Sequence, residues 1–113
     1  ISLIGSYKPH MIELDLDFVN KYYSGQETKV IVDSKSHCLA ESGELIQGNI
    51  LESQLVSITE FHHDSEKDRQ STLKKVKSDS GVILQKLVGL SVMDIVVAKH
   101  LAQAVEGKVI EDF

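Results

Sequence analysis

The chain has 113 residues, 42% of them hydrophobic and 26% charged, with one Pro and seven Gly. That is enough for one buried core, and it excludes disordered, collagen-like and loop-dominated chains. A single Cys excludes an internal disulfide framework, and a net charge of −5 argues against nonspecific nucleic-acid binding.

The charge is uneven. Residues 1–56 carry four Lys against eight Asp or Glu, and Glu13, Asp15 and Asp17 form the densest acidic cluster. The most apolar stretch, 82–105, is interrupted by Gln85, Lys86, Asp94, Lys99 and His100. A bilayer would have to take up those charges at high cost, so a buried segment is expected rather than a membrane span. Ile1–Gly5 has neither a basic start nor a long apolar run. Together with the lone thiol this gives a cytoplasmic expectation.

In chain order, residues 2–6 read as a short strand, broken at Lys8-Pro9-His10. Residues 12–17 alternate apolar and acidic, the strand signature, and 17–23 take helical spacing, with Asp15 or Asp17 as a cap. Residues 28–32 are β-branched and read as a strand, and 37–40 as the start of another. Glu41–Glu44 reads as a turn, with Gly48 as a bulge or turn in the apolar run that follows. Residues 55–61 alternate and read as a strand. Ser65 with Asp68 has the capping-box spacing and opens a surface helix to residue 78. Residues 82–88 favour a strand, and 108–113 a closing one. The helix at 92–106 is the best marked, with Ser91 as its cap and Val97, Leu101 and Val105 on its inner face. The expected fold is a single α+β domain over 1–113. It has an antiparallel or mixed sheet with two to three helices on one face, and a ferredoxin-like arrangement is the nearest named architecture.

His62, His63 and Asp64 form the densest polar cluster. A metal site would need three or four converging ligands, to which His37 and Cys38 could add, yet no metal-binding spacing is present. Solvated loop histidines are the simpler account. Cys38 beside Leu39 and Ala40 reads as a small core hydrophobe, since it lacks a base at a suitable spacing. Lys74, Lys75 and Lys77 fall at a helix end, where the helix dipole accounts for them.

Cys38-Leu39-Ala40-Glu41-Ser42-Gly43-Glu44-Leu45-Ile46-Gln47-Gly48 resembles a Cys-Pro-Ala-Ser-Cys-Gly-Glu-Leu-Ile-Gln-Gly-type segment in the threonine-kinase branch of the GHMP kinases. The resemblance implies an ATP-dependent kinase. Leu39 stands in place of the family's Pro, and the family's glycine-rich phosphate loop does not follow, so no ATP affinity is expected.

With no phosphate loop, triad or metal spacing, the expected function is non-enzymatic. It is that of a small acidic protein-binding domain without a cofactor, of the immunity or antitoxin-like inhibitor type. It would be steered by charge onto a basic toxin or enzyme, with no nucleic acid or membrane as partner. The expected contact residues are Glu13, Asp15, Asp17, Tyr22 and Tyr23. The alternative is a small metal-binding regulator or enzyme that uses His62 and His63 with Asp64. Pairing of an exposed strand edge with a second copy is a third option.

Overall fold

The computed structural model describes residues 1–62, 65–78 and 81–107. Among them, four short strands form one parallel sheet: β1 (Ser2–Leu3), β2 (Val30–Val32), β3 (Leu55–Ser57) and β4 (Gln85–Lys86). Five α-helices accompany it: α1 (Leu16–Tyr22), α2 (Lys35–Glu41), α3 (Gly43–Gln47), α4 (Glu66–Val76) and α5 (Ser91–Ala104). The spatial order is β1-β4-β2-β3. The last of the described strands in sequence is therefore laid between the first and the second. Gln85 N donates to Ile1 O on one side, and Ile31 N donates to Leu84 O on the other.

This is an α/β fold, and it overturns the expectation of an antiparallel or mixed α+β sheet. Parallel strands need crossover connections, which here are helical, and among the described residues hairpins play no part in the sheet. Residues 77 and 83 do meet in an isolated antiparallel bridge, outside the sheet.

Three segments differ from expectation for local reasons. Residues 12–15 are not a strand: Ile12 is exposed, and Asp15 instead caps α1, its carboxylate accepting from Asp17 N. Residues 35–47 are two helices, because Ser34 caps α2 by accepting from His37 N, and the chain restarts as α3 at Gly43. A Cβ on Gly43 would collide with the Met11 carbonyl, so only glycine lets this turn press against the loop after β1. The strand expected over 55–61 stops at Ser57, where a 3-10 turn, Ile58–Phe61, begins with a Ser57–Glu60 capping box. The helix opened by Ser65 forms as expected, with Ser65 Oγ accepting from Asp68 N at 3.1 Å. The strand expected over 108–113 lies outside the described residues.

The core cluster contains Leu3, Val30, Val32, Leu55 and Leu84 from and beside the strands. Val19 and Tyr23 join from α1 and its end, Cys38 from α2, and Leu45 from α3. Val56 points the opposite way from Leu55, is buried, and lines a shallow cleft together with Thr72 and Lys75 of α4. The sheet is thus covered from both sides. The Lys35–Glu60 ion pair, 2.6 Å, joins α2 to the 3-10 turn after β3. Among the described residues, no helix is long and apolar enough to cross a membrane.

Helix α5 forms nearly where expected, but its surroundings differ. Its N-cap is Leu90, with no side-chain cap from Ser91. The inner face expected from Val97, Leu101 and Val105 is exposed, at 59%, 53% and 60%. Truncation should therefore separate the two regions. Leu84→Ala, at a fully buried position, should cost about 2–5 kcal/mol in urea unfolding of this chain. Leu101→Ala should cost less than about 0.5 kcal/mol, and a loss of core size there would contradict its exposure.

Candidate functional site

Because the sheet is parallel, the carboxyl ends of all four strands lie along one edge. That edge is where open α/β sheets place their ligand sites. β1 leads into the loop 4–15, β2 into Asp33 and Ser34, and β4 into Leu87–Leu90. Among the described residues, the buried polar side chains Ser6, Asp33, Ser42, Glu44 and Lys86 gather here, each fixed by named partners.

Lys86 ends β4, the strand between β1 and β2, and is completely buried. Its Nζ donates to Glu13 Oε2 at 2.8 Å. Burial works to raise the Glu13 pKa. The Lys86 hydrogen bond and the backbone N–H groups of Ser6 and Gly5 outweigh it and hold the carboxyl at about 2. Glu44 is also completely buried. It accepts from Ser6 Oγ at 2.5 Å, from Ser42 Oγ at 2.9 Å, and from the Glu13 backbone N–H. Burial opposes ionisation here as well, and these donors keep the Glu44 carboxyl below its ordinary range. Gln47 Nε2 donates to Pro9 O at 2.9 Å. The two carboxylates and the amide thus pin the loop after β1 at its base.

Asp33 performs the same service for the turn after β4. Its carboxylate accepts from Ser34 N at 2.9 Å, Val88 N at 3.2 Å and Gly89 N at 2.9 Å. Gly89 has φ +88°, a conformation that suits glycine and aims its N–H at Asp33. Cys38 Sγ donates to Asp33 at 3.4 Å. Burial first, then the Asp33 hydrogen bond and charge, push the Cys38 thiol up to about 12, so it is no nucleophile at neutral pH.

These buried groups are mutually satisfied and act as fastenings. The polar groups they leave facing solvent are Tyr7, Lys8 and His10 on the pinned loop, and His37 on α2. Lys8 Nζ lies 5.6 Å from the centre of the Tyr7 ring. His37 Nδ1 is held by Ser34 Oγ at 2.7 Å, which fixes the ring direction. This surface offers a cation, a phenol and an oriented imidazole to a ligand.

The acidic cluster expected from the sequence is divided among separate tasks. Glu13 pairs with Lys86, Asp15 caps α1, and Asp17 is exposed in the first turn of α1. Tyr23 is fully buried, its hydroxyl donating to Val82 O at 3.3 Å, while Tyr22 is partly buried beside Phe18. His62 follows the 3-10 turn at the other end of the edge, and His63 and Asp64 lie outside the described residues. Among the described residues, no group of three or more His, Cys, Asp or Glu is placed to hold a metal ion. The kinase-like run 38–48 is spent on α2 and α3, with Cys38, Glu44 and Leu45 buried. Sequence reading missed Lys86 and Glu44. A Lys inside an otherwise apolar strand segment was the available signal for the first.

No family model matches the chain. It is 44% identical over 101 residues to the uncharacterized protein YGL159W of Saccharomyces cerevisiae, covering 88% of this chain and 27% of that protein. It is 34% identical over 104 residues to a Delta(1)-pyrroline-2-carboxylate reductase of Bacillus cereus, covering 89% of this chain and 29% of the reductase. The reductase of the same name from a second Bacillus cereus strain is also 34% identical, over 101 residues, with the same coverage of both chains. The chain spans less than a third of the length of these relatives. Similarity to enzymes overturns the expectation of a non-enzymatic protein-binding domain, and with it the immunity-protein and inhibitor reading. The enzyme alternative is the better fit.

Two outcomes test the edge. Removing Glu13 strands a buried ammonium, whereas removing Lys86 leaves a carboxylate that still has backbone donors and partial exposure. Glu13→Gln should therefore destabilise the chain by up to about 3 kcal/mol at pH 7, and Lys86→Met by less. The depressed Glu13 pKa contributes stability that is complete above about pH 4.5 and lost as pH falls toward 2. Glu13→Gln should flatten the pH dependence of urea unfolding in that window, and an unchanged slope would refute the pairing. Separately, Cys38 should react with a thiol reagent only as fast as the chain unfolds; rapid labelling of the native chain would contradict its burial.

Proposed function

We propose that this chain is one segment of a reductase acting on the C=N bond of a cyclic imino acid of the Δ1-pyrroline-2-carboxylate kind. The observation that carries this reading is the identity of 34% to the Bacillus cereus reductases across 89% of the chain. The all-parallel sheet, with its exposed polar groups along the carboxyl edge, supports it.

Reduction of an imine adds a hydride to the ring carbon and a proton to the nitrogen, so a hydride donor is required. The described residues do not fit the phosphate end of a dinucleotide donor. β1 is followed by the loop 4–15 rather than by a glycine-rich turn into a helix. No hydride step is therefore assigned to this chain. Its contribution is a rigid edge: the carboxylates of Glu13, Glu44 and Asp33 hold the loops, and Lys8 presents a cation to which a substrate carboxylate can pair.

The test is a hybrid protein in which this chain replaces the matched segment of the Bacillus cereus reductase. With Δ1-pyrroline-2-carboxylate and reduced nicotinamide dinucleotides, the folded hybrid should consume the dinucleotide in step with the imine. The chain alone should not. A hybrid that has the circular dichroism and melting transition of a folded protein, yet gives no turnover with either dinucleotide, would overturn the reading.

A further inference from the structure

The amino end of β2, opposite the carboxyl edge, carries a cleft that the proposed reduction does not use. It has a volume of about 290 Å³ and is lined by Glu27 and Thr28, which lead into β2, and by Lys74, Lys75 and Lys77 at the end of α4. That volume is at the small end of the range for organic-ligand sites. The helix dipole favours lysines in a last turn, but it does not require that they line a concavity. The backbone of the cleft is fixed. Lys29 N donates to Lys75 O at 2.9 Å, residues 77 and 83 meet in the isolated bridge, and Val76 between the lysines is fully buried.

Positive charge gathers here against the trend of the molecule. The chain has a net charge of −5, yet five of its twelve Lys and Arg residues line this cleft or the adjoining one, which shares Lys75 and adds Lys29 and Lys35. Lys35 is paired with Glu60, and Lys29 Nζ donates to Ser53 O. Lys74, Lys75 and Lys77 are exposed, and among the described residues no carboxylate lies within ion-pair distance of them. Three ammoniums and the single carboxylate of Glu27 leave the first cleft at +2. A phosphate dianion complements that charge, and lysines bind phosphate as point charges. A concave basic wall also focuses its field on a small anion. A membrane surface or a nucleic acid would need a broad basic face, whereas Glu27, Glu52 and Glu60 interrupt this one. We infer that this cleft holds the phosphate group of a small, soluble phosphomonoester. The inference does not rest on the reductase reading, because the cleft lies away from the carboxyl edge.

The test titrates this chain with glycerol phosphate, inorganic phosphate and glycerol at low ionic strength, read by calorimetry and by amide magnetic resonance. Glycerol phosphate should bind at one saturable site and shift the Thr28, Lys74 and Lys77 amides, and glycerol should do neither. Lys74→Gln and Lys77→Gln should each weaken binding roughly fivefold, the scale of one unit charge at close range in water. Glu27→Gln should strengthen it by a similar factor, a change of sign that a merely structural role would not give. Lys21→Gln, on α1, should leave it unchanged. These side chains are exposed, so every variant should melt with the parent chain. Binding that does not saturate below about 10 mM would overturn the inference. So would lysine variants without effect, or a Lys21→Gln variant as weak as the other two. Inorganic phosphate bound as tightly as glycerol phosphate would overturn the claim for an ester. Sedimentation with phosphatidylserine vesicles, without binding of glycerol phosphate, would assign the lysines to a membrane surface instead.

Discussion

Lys86 sits inside the protein because β4 is laid between β1 and β2, and an ammonium there must be met by a carboxylate. The loop after β1 brings one, since that strand is the neighbour on the open side. Glu13 does this across 73 positions of sequence. The pairing therefore ties the placement of the last strand to the path of the first loop. If β4 were placed elsewhere in the sheet, the ammonium would lose its partner and the loop its anchor. A buried ion pair adds little net stability over an apolar replacement, but it discriminates strongly against wrong arrangements that leave one charge unpaired. In a sheet of two- and three-residue strands, whose backbone bonds alone specify little, that discrimination matters most.

The carboxylates of the edge divide the loops between them. Glu44 takes the base of the loop after β1, and Asp33 takes the turn after β4. Each spends its lone pairs on backbone N–H or hydroxyl donors that burial would otherwise leave unpaired. Both carboxylates thus serve as structural fastenings and not as groups held ready for proton transfer. The groups that remain available for chemistry along this edge are Tyr7, Lys8 and His10 on the loop after β1, and His37 on α2. A fixed scaffold beneath and exposed functional groups above is the arrangement in which loops can position a ligand without themselves moving.

Helices were legible where the cap was legible. Ser65 with Asp68 opens α4, and Asp15 opens α1, because capping chemistry acts over three or four residues and is written locally. The strands were legible only as apolar runs. Val30-Ile31-Val32 is recognisable, but its parallel pairing is not, since strands covered on both faces carry no alternation to give direction. The false strand at 12–17 arose from an alternation in which Glu13 serves as an ion-pair partner and Asp15 as a helix cap, two tasks that happen to fall on alternate residues. Residues 35–47 misled in the opposite way, because Gly43 reads as a turn in sequence while the structure uses its missing Cβ for close approach to Met11. For the site, the acidic cluster was visible as composition, but Lys86 gives no local sign that it will face Glu13.

Helix α5 marks the limit of a different assumption. Assigning an inner face to Val97, Leu101 and Val105 presumes that the chain supplies its own core for every helix it forms. For a strand of the sheet that presumption holds, because its backbone groups must be paired within the fold. A helix satisfies its own backbone, so it can form without a tertiary partner and leave its side chains to be covered by something else. Its apolar side chains are then no evidence that one of its faces meets the core of this sheet. In α5 the aliphatic residues are interleaved with Ser91, Asp94, Lys99, His100 and Gln103, so no clean apolar stripe marks an inner face, and the structure leaves every residue of the helix exposed.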